Sequence, residues 1–210
     1  MRRVVRRGYE QGDYAGVFRK DDRLNETQRH FLSSLLYLLP VGATILDMGC
    51  GTGIPFDKYL EEHGCKVTGI DFCRKHLRQA RVNVPKARFL YGDFSRVELS
   101  DKFNAVVSFY AVFHIPRDEH RNLFLKMYQT LRPGGLILLS LGNSAGETEE
   151  DFCGARMVWS SLSPATYESI LGQIGFEVVM SDYEGKPGDA EYHFWVLARK
   201  AQASVSGSLA

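Results

Sequence analysis

Three aspartates stand where a polar ligand needs acceptors. Asp47 closes the apolar run Thr44-Ile45-Leu46 and precedes a loop with glycine at every second position, Gly49-Cys50-Gly51-Thr52-Gly53. Asp71 closes Val67-Thr68-Gly69-Ile70, about 20 residues after that loop, where a carboxylate can accept hydrogen bonds from ribose hydroxyls. Asp93 follows a third apolar run, in Tyr91-Gly92-Asp93-Phe94. The glycines let the main chain close on a ligand where a side chain would hold it off. A lone aspartate at a strand end is equally a cap or turn residue. Three together, at the same end of successive strands, point to one ligand. Phe72 and Phe94 directly follow two of the acids and either pack on a flat base or belong to the core.

The elements that must hold these residues alternate. Strands are expected at 43–48, 66–70, 87–91, 103–109 and 135–141, with helices near 54–63, 74–82 and 117–131. This alternation implies an α/β fold with a parallel sheet covered by helices on both faces. In such a sheet, ligands bind outside the carboxyl ends of the strands. Ahead of the first strand, residues 8–39 read as helical, with Phe31, Leu32, Leu35, Leu36 and Leu39 at three- and four-residue steps before Pro40-Val41-Gly42. After the fifth strand, Ser163-Pro164 starts a helix and Gly175 ends it. Two strand-like runs, 176–183 and 191–199, are joined by a short polar link and form an antiparallel hairpin.

In order, these elements resemble the class I S-adenosylmethionine-dependent methyltransferases of the small-molecule type. Asp47-Met48-Gly49-Cys50-Gly51-Thr52-Gly53 looks like the family's first motif, Asp71 like its ribose-binding acid and Asp93-Phe94 like its adenine-contact motif. Phe103-Asn104-Ala105-Val106-Val107-Ser108 resembles the fourth-strand motif, with asparagine at 104 in place of the commoner aspartate. Leu131-Arg132-Pro133-Gly134-Gly135 is similar to the turn before the fifth strand. The resemblance is close over residues 40–142 and looser beyond. It implies a Rossmann-like three-layer sandwich with a seven-stranded, mostly parallel sheet whose last strand is antiparallel in a C-terminal hairpin. It implies S-adenosylmethionine as cofactor and S-adenosylhomocysteine as product. The implied cofactor-binding residues are Tyr14, Asp47, Gly49, Cys50, Gly51, Gly53, Asp71, Phe72, Asp93, Phe94 and Phe109.

A nicotinamide-dependent oxidoreductase shares the glycine loop and the second acid. Its G-x-G-x-x-G fingerprint fails here, because Ile54-Pro55 follows Gly53. A binding module of the same fold without activity is the other alternative. For methyl transfer the protein must align an acceptor with the donor and exclude water. It needs a base only where the acceptor must lose a proton. His114, in Ser108-Phe109-Tyr110-Ala111-Val112-Phe113-His114 after the fourth strand, is the candidate base or else a pocket wall. His193, on one hairpin face with Trp195, is a second candidate or a packed histidine. The acceptor is expected to be a small molecule bonded through oxygen, hydroxyl or carboxylate, or through nitrogen. Tyr9, Tyr110, His114, Met157, Trp159 and His193 are the expected acceptor contacts. Tyr9 and Tyr14 fit a lid over the cofactor or packing at the sheet edge. Residues 143–162 read as a mobile acceptor-side loop with the apolar island Met157-Val158-Trp159.

Length and charge bound the rest. The 210 residues suit one domain, placed at 1–200 with 1–39 as an N-terminal lid and 201–210 as a disordered tail. With 26 basic against 25 acidic residues and no Asn/Asp-Pro-Pro-Tyr-type motif after the fourth strand, nucleic acid is disfavoured as a substrate. Arg2, Arg3, Arg6 and Arg7 read as a frayed basic end or as an anion-holding patch. No apolar run nears the roughly 20 residues that cross a bilayer. Cys50, Cys65, Cys73 and Cys153 form no metal-binding spacing, so no metal is expected, and reduced thiols suit a cytoplasmic setting. A monomer and a homodimer pairing through the hairpin edge both fit.

Overall fold

The computed structural model describes residues 1–189 and 192–201. Its frame is a run of five parallel strands: β1 (Thr44–Met48), β2 (Lys66–Asp71), β3 (Arg88–Tyr91), β4 (Phe103–Ser108) and β5 (Leu131–Leu141). Two later strands, β8 (Phe176–Glu184) and β9 (His193–Lys200), complete a seven-stranded sheet in the order β3-β2-β1-β4-β5-β9-β8. The last strand, β9, is antiparallel to both of its neighbours. Consecutive residues of β1 go to opposite faces, yet both faces are buried: Leu46 and Met48 join one core cluster and Ile45 the other. Burial on both sides is why this strand reads as a continuous apolar run rather than an alternating one. The order reverses between β1 and β4, so the ends of these strands open a crevice where the three aspartates were expected.

Three helices precede the sheet: α1 (Arg2–Gln11), α2 (Tyr14–Phe18) and α3 (Glu26–Leu38). The continuous helical reading of 8–39 is therefore corrected to three pieces. Asn25 stops any run through it, because its side chain caps α3 in a reciprocal box with Gln28. At the first break, the amide of Asp13 donates to the Cys153 carbonyl of another element rather than to its own helix. The helices α4 (Phe56–Glu62), α5 (Arg74–Asn83), α6 (His120–Thr130) and α7 (Pro164–Ile174) connect the strands. Core residues of α3 and α4 pack on one sheet face, and those of α6 and α7 on the other. Ser163 caps α7, Pro164 begins it and Gly175, at φ 107°, ends it, as its sequence requires.

The segment 143–162 is also corrected. It is a hairpin, β6 (Gly146–Phe152) paired with β7 (Ala155–Ser161), rather than a mobile loop. Its turn is Cys153-Gly154, both with positive φ (51° and 80°), the two-residue geometry that matches strand twist. The acids Glu147, Glu149, Glu150 and Asp151 on β6 hide the strand signal, since this strand is almost wholly exposed.

Helix α1 lies on β7. Gly8 makes this possible: a Cβ there would stand 2.2 Å from Met157 Sδ and 2.9 Å from the Arg156 carbonyl oxygen. Val5, Met157 and Val158 form a small cluster of their own, separate from the main core. Arg2 ties the far end of α1 down, pairing through Nε with Asp93 at 3.0 Å and through its guanidinium with Glu119. It is neither frayed nor free to hold a ligand. Gly8→Val is expected to lift α1 from the hairpin, so hydrogen–deuterium exchange should quicken in Arg2–Gln11 and stay slow in β1 and β4. Unchanged exchange in α1 refutes this account of the seam.

Candidate active site

The glycine loop is held to β2 by the main chain. Gly49 and Cys50 both donate to the Ile70 carbonyl, at 2.8 and 3.2 Å. Gly49 has φ 94°, and a Cβ on it would lie 2.4 Å from that of Ala111. Gly51, at φ 54°, donates its amide to Asp71 Oδ2 at 2.9 Å, while Cys73 donates to Oδ1 at 2.7 Å. Burial pushes the Asp71 carboxyl up to about 6, and these backbone donors oppose that rise. Gly53 serves the scaffold instead: it faces α5, where a Cβ would stand 2.9 Å from Val84 Cγ2.

An inner cavity opens beyond these strand ends. Asp47, Gly49, Cys50, Gly51 and Asp71 line it, as do Phe72, Phe94 and Phe109. Tyr9 and Tyr14 cover it from the N-terminal helices. Its free volume is only about 50 Å³, against roughly 300–1,000 Å³ for small-molecule sites, so the covering tyrosines must shift for a nucleoside to enter. Asp93, expected here, lies outside the lining: Ser95 donates to its Oδ1 from both amide and hydroxyl, and Arg2 takes its Oδ2.

Asp47 is buried, and its Oδ1 has no hydrogen-bond partner among the described residues. Behind it sits Asp57 of α4, fully buried. Burial raises both carboxyls, Asp57 the more, so Asp57 keeps its proton beside Asp47. The spacing of the two acids offers no hint of this pairing. Arg19, also missed, stands at the cavity edge with its guanidinium 5.3 Å from the ring centres of Tyr14 and Tyr110. Among the described lining residues it is the only arginine or lysine.

A second, outer cavity of about 450 Å³ adjoins the first and shares Tyr9, Tyr14, Arg19, Tyr110 and His114 with it. Phe18, Phe113, Phe152, Trp159 and His193 complete walls made largely of rings. Met157 is not among them; it is 2% exposed and packs under α1. That is a correction to its expected place: Met157 and Trp159 share one face of β7, but Met157 lies under α1 in the space that Gly8 leaves, while Trp159, two residues further on, meets the cavity. His114 donates from Nδ1 to the Val158 carbonyl at 2.9 Å, which leaves Nε2 to accept from the Tyr9 hydroxyl at 2.8 Å. Burial pushes His114 down to about 4, so it is neutral at physiological pH, and burial holds Tyr9 protonated.

Residues 45–135 match the model of a methyltransferase domain family. The malonyl-[acyl-carrier protein] O-methyltransferase of Enterobacter lignolyticus is 33% identical over 116 residues, 54% of this chain and 45% of that protein. The chain thus spans about half the length of the curated relatives it matches. Among solved structures, magnesium protoporphyrin IX methyltransferase from Synechocystis PCC 6803 with bound SAM superposes with a TM-score of 0.71 at 18% identity, covering 95% of this chain and 97% of that one. The 1,6-didemethyltoxoflavin-N1-methyltransferase of Burkholderia thailandensis, with S-adenosylhomocysteine, gives 0.69 at 20% identity over 90% of this chain and 83% of the other. At such identities the structural likeness shows the fold. Residues 45–135 thus match a methyltransferase domain, and the fold around them is that of S-adenosylmethionine-dependent methyltransferases.

The residues present fit the cofactor of that family. The unpartnered Asp47 Oδ1 and the glycine edge suit a cationic, phosphate-free nucleoside, and Asp71 supplies a further acceptor. Among the described residues, no helix is long and apolar enough to cross a membrane and no group of acids, histidines and cysteines is placed to hold a metal.

Two outcomes follow. Asp71→Ala is expected to weaken S-adenosylhomocysteine binding by about 1–3 kcal/mol in calorimetry, and unaltered affinity removes the assignment. A carboxyl raised on folding binds more protons in the native state, so its contribution to stability falls as pH rises from the unfolded value towards the folded one. Asp57→Asn should therefore stabilise the fold by about 1–2 kcal/mol near pH 8 and by less near pH 5. A melting-temperature gain that does not grow with pH contradicts the buried proton on Asp57.

Proposed function

We propose that the protein transfers the methyl group of S-adenosylmethionine to a small-molecule acceptor, with oxygen ahead of nitrogen as the acceptor atom. The carrying observation is the pair of adjoining cavities, one edged by glycines and acids and one walled by rings, with five residues common to both. When bound, S-adenosylmethionine supplies a methyl group already activated on a sulfonium. The chain's own task is then to align the acceptor and keep water out, which can lower the barrier by about 7–11 kcal/mol. Asp47 and Asp71 hold the cofactor's polar groups, and Phe72, Phe94 and Phe109 pack against it. Tyr9 and Tyr14 close over the junction, while Tyr110, Trp159 and His193 meet the acceptor. The first choice of oxygen agrees with the name of the Enterobacter lignolyticus relative, an O-methyltransferase. The reading treats residues 1–200 as a single methyltransferase unit that serves a small molecule rather than a nucleic acid, in the cytoplasm.

The test is transfer of labelled methyl from S-adenosylmethionine into a metabolite extract, with the labelled product identified by mass spectrometry. Binding of S-adenosylhomocysteine without any labelled product would show instead a non-catalytic binding module. Once the acceptor is known, Trp159→Ala is expected to raise its KM by about tenfold, with a smaller change in kcat. An unchanged KM in the folded variant excludes Trp159 from the acceptor wall.

A further inference from the structure

Where the two cavities meet stands an arginine whose charge no carboxylate among the described residues takes up. Arg19 is half-buried just after α2, where its amide donates to the Ala15 carbonyl at 3.0 Å. It lines both cavities and is the only arginine or lysine among the described residues of either. Its Nη1 donates to the Phe18 carbonyl at 3.0 Å, which uses one of the five N–H donors of the group. Asp47 feels its charge, yet among the described residues no carboxylate lies within ion-pair distance of it.

Rings from three parts of the chain hold this arginine in place. The guanidinium carbon lies 5.3 Å from the ring centre of Tyr14, 5.6 Å from that of Phe56 and 5.3 Å from that of Tyr110. Contacts of this kind use the flat face of a guanidinium and leave its N–H edge for a carboxylate, which it meets with two parallel bonds. Tyr110 is itself pinned. It keeps φ at 55°, its amide donates to Ser140 Oγ at 2.7 Å, and its hydroxyl donates to Glu184 at 2.6 Å. Glu184, 2% exposed, also accepts from Asn25, from Gln28 at 2.7 Å and from Trp195 at 2.9 Å, and it lines neither cavity. The outer wall is otherwise largely apolar: Phe18, Phe113, Phe152 and Trp159 line it, and His114 has both nitrogens engaged, by Val158 and by Tyr9. Glu150 and Asp151 line the outer cavity alone and are exposed on β6, where water and salt screen them.

We propose that the acceptor is a carboxylic acid on an apolar body, that Arg19 binds its carboxylate, and that one of the two carboxylate oxygens is the atom methylated. This rests on the methyl-transfer reading above and narrows it. Because Arg19 edges both cavities, a carboxylate paired with it lies where the methyl group must cross from one to the other. One oxygen forms the new bond to the methyl carbon, and the carbon–sulfur bond breaks with its electron pair left on sulfur. The negative charge of the carboxylate and the positive charge of the sulfonium cancel, which gives a neutral ester and a neutral thioether. No proton moves, so the engagement of both His114 nitrogens is no obstacle. The ester no longer carries the charge that Arg19 held, and this favours its departure.

Labelled-methyl transfer into a metabolite extract, followed by mild alkali, reads the new bond directly. An ester returns the label as volatile methanol, whereas an ether or a methylated amine keeps it. Volatile label is expected; label that resists alkali overturns the proposal and leaves methyl transfer standing. With the acid identified from that product, Arg19→Gln is expected to raise its KM by about 30-fold while S-adenosylhomocysteine affinity, measured by calorimetry, stays within about twofold of wild type. An unchanged KM overturns the proposal. So does a loss of S-adenosylhomocysteine affinity without a raised KM, which gives Arg19 to the cofactor instead. Should Arg19→Gln not fold, the alkali test and Arg19→Lys, with a smaller rise in KM, decide. Binding of S-adenosylhomocysteine by the wild-type protein without any labelled product refutes the methyl-transfer reading and this proposal with it.

Discussion

The site depends on one carboxylate that binds two loops at once. Asp71 accepts the amide of Gly51 with one oxygen and that of Cys73 with the other. The first amide belongs to the turn leaving β1, the second to the entry of α5. Together with the bonds from Gly49 and Cys50 to Ile70, this locks the ends of two neighbouring strands into one edge. The lock works only because the glycines adopt positive φ and leave no Cβ in the way. Its cost is a buried acid whose pKa is raised, and that acid lines the inner cavity.

Around this edge the chain arranges a cover with a core of its own. Helix α1 and the β6–β7 hairpin share a small apolar cluster, and polar contacts fasten it to the body through Arg2 and through Tyr9 on His114. Regions held by few apolar contacts and by exposed polar ones open more readily than a main core. A cover of this kind suits an inner cavity too tight to admit a ligand without rearrangement. The Val158 carbonyl also sets which nitrogen of His114 carries its proton, so the hairpin shapes the chemistry of the wall as well as its outline.

The sheet was legible because its signals are local. A strand buried on both faces reads as an apolar run, a tight turn needs glycine, and a helix start shows in Ser163-Pro164. The hairpin at 146–161 was obscured because its outer strand is acidic and solvent-facing, and its pairing partner alone makes it a strand. Residues 8–39 misled for a related reason: helical spacing in α3 is real, but the breaks before it are set by Asn25 capping and by a bond from Asp13 to a residue 140 positions away. Of residues 201–210, read as a disordered tail, Ala201 donates its amide to the Gly175 carbonyl, and 202–210 lie outside the described residues.

By itself the sequence determined the class of fold, the glycine edge and the acids Asp47 and Asp71, since each follows from residue types within a few positions of one another. Tertiary structure alone decided the rest. It took Asp93 into the Arg2 latch, sank Met157 under α1, set Asp57 behind Asp47, and drew Asn25, Gln28, Tyr110, Trp195 and His193 around Glu184. Those outcomes depend on which distant surfaces meet and which polar groups are left buried together. Periodicity and spacing carry no record of that, because a hydrogen bond between residues 159 positions apart leaves no local trace.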